Sequence, residues 1–253
     1  MASFANVTGL DPDIKVMLGS GGFSGEKRRD ALCEAMRQHF GDIQQLLFVP
    51  YALHDGDDYV QKMIKAGYNA DYDLVGIHNF DDPVAAVAQA QGIYVGGGNS
   101  FRLIHRLQQN RLVDVIRHRV VAGELPYLGV SAGTNVACPT MMTTNDMPIV
   151  QPLSFDSIGL VPFQINTHYY PGQIHIRDEN GDYHQHFGET RLDRIREFHE
   201  CQDVPVLGLW EAGWLMRTDE KLVLHHCPAL LFRKDQQPQE IKVGEDLSFL
   251  LTK

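Results

Sequence analysis

The 253-residue sequence contains no stretch of 18 apolar residues, so no membrane-spanning helix is expected. The segment Met1–Asp13 has no basic start and no long apolar run, so no signal peptide is expected. Cysteine is scarce. Cys33, Cys138, Cys201 and Cys227 lie far apart and form no C-x-x-C pair. That argues against a disulfide framework and fits reduced thiols in the cytoplasm, acting as small buried hydrophobes. No run of five like charges, internal repeat or low-complexity tract occurs, which excludes a disordered, coiled-coil or collagen-like chain. Basic residues are outnumbered 22 to 32, for a net charge of −10, so a nucleic-acid partner is not expected. The densest basic cluster, Arg111 to Arg119, is diluted by Asp114 and reads as a solvated helix face.

What is present is enough for one large core: 43% of residues are hydrophobic. Up to about residue 130, short apolar runs alternate with helical patterns. Strands are predicted at Ile14–Leu18, Leu46–Val49, Leu74–Ile77, Gly92–Val95 and Tyr127–Val130, with helices between them. Asp81 and Asp82 are placed to cap the helix Pro83–Ala90. Repeated strand–helix units of this length predict an α/β fold, a doubly wound, mostly parallel sheet flanked by helices. After residue 140 short alternating runs dominate, notably Leu160–Thr167, Ile174–Phe187, Trp214–His226 and Leu230–Phe232. Asn180-Gly181 predicts a hairpin turn, Glu189–His199 a helix, and Glu240–Leu251 a second hairpin. No Pro/Gly/Ser-rich linker separates the halves, so residues 1–253 are expected to form one domain, with 1–13 as a flexible extension.

Several motifs fail on inspection. The loop Gly19–Gly25 follows a strand and opens a helix, as phosphate-binding loops do. Ser24 stands where a dinucleotide fingerprint needs glycine, and Glu26-Lys27 replaces the Lys-Ser/Thr of a P-loop, so a tight turn is the better reading. Asp178–Asp182 lacks the glycine and the terminal glutamate of a calcium loop. His168, His175, His184 and His186 cluster in sequence, but without H-E-x-x-H, a Cys–His spacing or a clear carboxylate partner they read as surface histidines.

Gly129-Val130-Ser131-Ala132-Gly133 is the sharpest signal. It matches G-x-S-x-G and sits between a buried strand and a helix predicted at Ala132–Ala137. A tight strand-to-helix turn exposes a serine hydroxyl, its glycines relieve crowding, and the helix start supplies the Ala132 N–H to an oxyanion. Gly96-Gly97-Gly98-Asn99 follows another parallel strand and reaches the same sheet edge, where its amides can approach a substrate oxygen. Serine needs a base. His168, ending an apolar run, is the best placed of twelve histidines, ahead of His54, His78 and His105. The acid is either Asp146 or Glu211, since a triad is defined by geometry and not by chain order.

These blocks resemble the peptidase E (α-aspartyl dipeptidase) family. The resemblance rests on Gly-Gly-Gly-Asn-Ser-Phe at 96–101, Gly-Val-Ser-Ala-Gly-Thr-Asn at 129–135 and Thr-Thr-Asn-Asp-Met-Pro-Ile at 143–149. It extends through Phe-Gln-Ile-Asn-Thr-His at 163–168, Gly-Glu-Thr-Arg-Leu-Asp-Arg-Ile at 188–195 and Trp-Glu-Ala-Gly-Trp at 210–214. It implies a class I glutamine-amidotransferase-like fold and a serine peptidase that cleaves dipeptides beginning with aspartate. It also implies Ser131 as nucleophile, His168 as base, Gly98 and Ala132 as oxyanion hole, and Arg191 and Asn99 as substrate-binding residues. Both Asp146 and Glu211 lie in matching blocks; Glu211 follows a strand end, and that firmer position favours it. The partner implied is a small dipeptide, with no metal, no organic cofactor and no membrane; a homodimer is left open. Pro171–Phe187 departs from the pattern as an inserted hairpin, and Met1–Asp13 has no counterpart in it. The competing expectations are cyanophycinase-like cleavage of aspartyl-arginine peptides and a non-catalytic binding protein on the same fold. Ser131 argues against the amidotransferases themselves, which need cysteine there.

Overall fold

The structure is a computed structural model and describes residues 13–186 and 190–252. Its first half alternates strands and helices: β1 (Lys15–Gly19), α1 (Glu26–Phe40), β2 (Gln45–Val49), α2 (Gly56–Lys65), β3 (Asp73–Gly76), α3 (Pro83–Gln89), β4 (Ile93–Val95), α4 (Ser100–Gln109), α5 (Leu112–Val121), β5 (Tyr127–Val130) and α6 (Ala132–Asn135). Asp55, Asp82 and Asn99 cap α2, α3 and α4 by accepting amide hydrogens of the first turn.

The strands are apolar on both faces because both faces are covered. Side chains alternate with the period of two that a strand imposes. Val16, Leu18, Leu47, Val49 and Val95 point into a core covered by α3 to α6. Met17, Leu46, Phe48, Tyr94 and Leu128 point into a second core under α1 and α2.

The second half supplies β6 (Gln164–Tyr169), β7 (His175–Arg177), β8 (Tyr183–Gln185), α7 (Arg191–Cys201), β9 (Val206–Trp210), β10 (Trp214–Thr218), β11 (Lys221–His225), β12 (Ala229–Phe232) and β13 (Gln239–Ile241). The main sheet has seven strands in the order β11-β10-β1-β5-β4-β2-β3. Its five central and distal strands are parallel, and β10 and β11 add an antiparallel edge. A four-stranded sheet, β13-β12-β9-β6, packs Ile165, Leu207 and Leu231 into the same core as Val16 and Val95. The mostly parallel α/β sheet with added C-terminal strands is therefore the architecture observed.

Several local expectations are corrected. The tail does not fold into a hairpin over Glu240–Leu251: β13 pairs with β12, and Ser248–Leu250 is a 3₁₀ turn. The helix after Ser131 stops at Asn135, because Ala137 and Cys138 donate to carbonyls three residues back and tighten its end. The strand expected at Leu160–Thr167 begins only at Gln164 and runs on to Tyr169. The later helix starts at Arg191, where Thr190 and Asp193 form a reciprocal capping box; Glu189 lies outside the described residues, as do 1–12 of the expected extension.

The basic cluster on α5 is not merely a solvated face. Arg117 donates to the carbonyls of Ser157 and Ile158, and Arg119 to those of Val87 and Ala90. Each guanidinium ties α5 to a neighbouring segment. All four cysteines are free, but only Cys33 and Cys138 are buried; Cys227 is half-buried and Cys201 exposed. The Asn180-Gly181 turn joins β7 to β8, with Gly181 at φ +92°. Among the described residues no helix is long and apolar enough to cross a membrane.

Candidate active site

Three loops meet at the carboxyl edge of the parallel strands, where ligands bind in such sheets. They follow β1, β4 and β5. Ser131, directly after β5, has φ +55° and ψ −110°, a conformation that side chains rarely adopt. Its amide donates to Gly19 O at 2.9 Å, and its carbonyl accepts from Thr134 and Asn135 at 2.9 Å. The Thr134 hydroxyl bonds Gly19 O at 2.7 Å and Gly129 O at 2.9 Å, which pins the turn from below. The two glycines of the motif are steric necessities. A Cβ at Gly129 would lie 2.5 Å from Gly133 O, and one at Gly133 would lie 2.1 Å from Val95 O.

His168 sits on β6, at the irregularity in its pairing with β9, and has φ +55°. Its amide donates to the buried Ser20 hydroxyl at 2.8 Å, which itself donates to Leu209 O at 2.9 Å. The ring nitrogens then meet two partners. His168 Nε2 is 2.7 Å from Ser131 Oγ, and Nδ1 is 2.8 Å from Glu211 Oε1. A carboxylate can only accept, so the proton belongs on Nδ1, which leaves Nε2 to accept from the serine hydroxyl. Glu211 follows β9 directly, and the Ala212 amide donates to Gly21 O at 2.6 Å.

Asp146 does not touch His168. Its Oδ2 accepts from the Ser100 amide at 2.7 Å and the Thr144 hydroxyl at 3.0 Å, at the start of α4. Asn99 accepts from the Arg102 amide and donates to Met147 O at 2.9 Å, so part of its side chain is spent on capping α4. Gly98 has φ +131°, and a Cβ there would lie 2.8 Å from Ala52 O. The neighbouring Gly96 and Asn99 amides bond Val49 O and Ala52 O. Among the described residues neither the Gly98 nor the Ala132 amide donates to a loop or turn carbonyl.

Arg191 opens α7. Its guanidinium lies over the Tyr170 ring, 5.9 Å from the centroid, and its buried Nη1 has no hydrogen-bond partner among the described residues. Burial first, and then repulsion from Arg194, lower its pKa from the ordinary value; Tyr170, Asp146 and Glu211 oppose that shift. A desolvated guanidinium with an unpaired N–H is suited to a carboxylate.

Of the histidines read as a cluster, His175, His184 and His186 stay together on the β7–β8 hairpin and His168 stands apart. His168 belongs to the serine, whereas His184 Nε2 bonds Asp178 Oδ2 at 2.7 Å on the β7–β8 hairpin, a carboxylate partner that sequence reading did not find. Asp178 Oδ1 also accepts from the Asn180 and Asp182 amides, which makes it the organiser of the turn. Sequence reading also missed Ser20, Gly21, Gly22, Thr134 and Tyr170. A Cβ at Gly21 would stand 2.5 Å from His168 Cε1, and one at Gly22 2.0 Å from Glu211 Oε2. The glycine-rich loop after β1 was visible; what hid its role was that it lies against catalytic-type side chains rather than against a phosphate.

The site carries a serine hydroxyl, a base oriented by a carboxylate and a half-buried cation. The family model described as peptidase family S51 matches residues 16–225. A protein named "Peptidase E" from Streptomyces coelicolor is 48% identical over 208 residues, covering 82% of each chain. One named "Probable alpha-aspartyl dipeptidase" from Drosophila melanogaster is 42% identical over 213 residues, covering 84% of this chain and 85% of that one. A crystal structure of a peptidase from an acI-B1 Actinobacterium superposes with a TM-score of 0.64 at 16% identity, over 94% of this chain and 98% of that one. A structure from Listeria monocytogenes EGD-e gives 0.60 at 19% identity, over 85% and 98%. At those identities the two structures speak to the fold alone, while the family match and the closer sequences cover most of the chain. This chain belongs to peptidase family S51.

Proposed function

We propose that this chain is a serine dipeptidase that hydrolyses peptides with an N-terminal aspartate through an acyl-enzyme on Ser131. The observation that carries the proposal is the chain of contacts Ser131 Oγ to His168 Nε2 at 2.7 Å and His168 Nδ1 to Glu211 Oε1 at 2.8 Å, with Arg191 Nη1 buried and unpaired nearby. The names of the sequence relatives support the same reading.

His168 takes the serine proton as Oγ attacks the scissile carbonyl. Glu211 holds the ring in the right tautomer and stabilises the imidazolium. The oxyanion that forms is met by the Gly98 and Ala132 amides. His168 then gives its proton to the leaving amine, and the C–N bond breaks. Water, deprotonated by the same ring, releases aspartate. Arg191 takes the aspartate side chain. Asp146, already fixed by Ser100 and Thr144, takes the free ammonium, and the second amide hydrogen of Asn99 reaches the same end of the substrate. Four free thiols support a reducing compartment such as the cytoplasm for the enzyme. Its chemistry needs no metal or organic cofactor, because the triad supplies both nucleophile and proton transfer.

A fluorophosphonate should label Ser131, located by mass spectrometry, and the protein should hydrolyse Asp-Leu and not a β-aspartyl-arginine dipeptide. Cleavage of the β-linked peptide alone would favour the cyanophycinase-like activity. Absence of both labelling and turnover would favour a binding protein.

A further inference from the structure

We propose that an apolar cavity beside Ser131 receives the side chain of the residue after aspartate, and that it selects bulky uncharged side chains. The inference rests on the dipeptidase assignment above. The cavity holds about 360 Å³ and is walled chiefly by Phe23, Leu32, Tyr59, Met63, Tyr68 and Val130. At ~30 Å³ per water it has room for roughly twelve waters, so an aromatic or branched side chain fits. Among the described residues no charged side chain lines it.

Backbone segments connect this cavity to the reacting groups. Gly97 borders it, and a Cβ there would stand 3.1 Å from Ser131 Cβ and 3.7 Å from Ser131 Oγ. The Tyr59 hydroxyl donates to Gly97 O at 3.0 Å and holds that wall in place. Gly21 and Gly22 form another wall, the one that touches His168 and Glu211.

The side on which the cavity lies decides which half of the substrate it takes. His168 must protonate the leaving nitrogen, so the leaving residue is on the side of its ring. That ring abuts Gly21, part of the cavity wall. Asp146 is at the start of α4, whose apolar face belongs to the core under α3 to α6. The cavity belongs to the other core, under α1 and α2. Asp146 thus lies with the core under α3 to α6 and the cavity with the other, so the second residue points away from the end that holds the ammonium. The cavity is open to solvent on one side, so a charge entering it would lose part of its hydration without gaining a partner, and lysine and glutamate are disfavoured there.

The test is kcat/KM for Asp-Leu, Asp-Phe, Asp-Ala, Asp-Lys and Asp-Glu, alongside Ala-Leu and Lys-Leu. Asp-Leu and Asp-Phe should exceed Asp-Lys and Asp-Glu by about tenfold or more. Met63→Glu should lower the Asp-Leu to Asp-Lys ratio at least tenfold. If that variant does not fold, Met63→Ala should raise the Asp-Phe to Asp-Leu ratio while Met63→Leu keeps it. Equal rates for all second residues, or Met63 variants that change every dipeptide alike, would overturn the subsite. A preference at the second position with none at the first would leave the subsite standing and overturn the aspartate assignment instead.

Discussion

Holding Ser131 at φ +55° and ψ −110° costs about 1–3 kcal/mol, and the structure around it explains why it stays there. Gly19, Gly129 and Thr134 fix the turn from three sides, and the hydroxyl faces His168. The same precision separates the two acidic residues that sequence alone left open. Glu211 bonds the outer nitrogen of His168, while Asp146 is engaged at the start of α4. Glu211→Gln should therefore slow both fluorophosphonate labelling and Asp-Leu turnover, the latter by up to roughly 10⁴-fold. Asp146→Asn should depress turnover and spare labelling. Intact labelling in Glu211→Gln together with its loss in Asp146→Asn would reverse the two roles. The serine turn was legible because G-x-S-x-G between strand and helix has a steric cause, visible here at Gly129 and Gly133. The contributions of Ser20, Gly21 and Gly22 were not legible, because no local pattern records which distant side chain a loop will touch.

At the scale of elements, α1 is tied to the sheet by His39, whose Nε2 donates to Tyr127 O on β5 at 3.0 Å. Burial is the main reason that its pKa falls from 6.5 to about 4. The folded protein thus keeps His39 neutral while the unfolded chain protonates it. Below pH 6.5 the unfolded state binds the extra proton, so stability present at neutral pH is lost as pH falls toward 4. At about 1.4 kcal/mol per pH unit, this one residue removes roughly 2 kcal/mol by pH 5. Urea unfolding at pH 7.5 and pH 5 should show a smaller pH loss in His39→Gln than in the parent; an equal loss would contradict the assignment. The strand–helix alternation up to residue 130 was readable because each buried parallel strand is a continuous apolar run flanked by amphipathic helices. Beyond residue 140 the strands were readable as strands, but their partners were not. β9 pairs with β6 and β12, while β10, a few residues later, crosses to β1 in the other sheet. Period-two alternation tells which face of a strand is buried and says nothing about its neighbour. The tail was misjudged for the same reason: Ile241, Leu247 and Leu250 are all buried, yet they reach the core through an edge strand and a 3₁₀ turn.

At the scale of the molecule, the core that joins Val16 and Val95 to Ile165, Leu207 and Leu231 links both sheets. One cooperative unfolding transition is expected. The two tryptophans report on it separately, since Trp210 ends β9 and Trp214 begins β10. Trp210→Phe and Trp214→Phe should give coincident fluorescence transitions in urea; two separated midpoints would indicate independent units. The chain's net charge of −10 would repel an anionic substrate, so recognition of aspartate has to come from a local cation. Arg191, half-buried and with its buried Nη1 unpaired among the described residues, is positioned to provide it. Asp-Leu and Asn-Leu have nearly the same shape and differ in that charge and in one acceptor replaced by a donor, which makes them the direct comparison. We expect the parent enzyme to prefer Asp-Leu in kcat/KM by about a hundredfold or more, as is typical when a buried charge loses its partner. In Arg191→Met that preference should collapse to within a few-fold while Ser131 still takes up the fluorophosphonate. Equal turnover of Asp-Leu and Asn-Leu by the parent, or a preference that survives Arg191→Met, would contradict it.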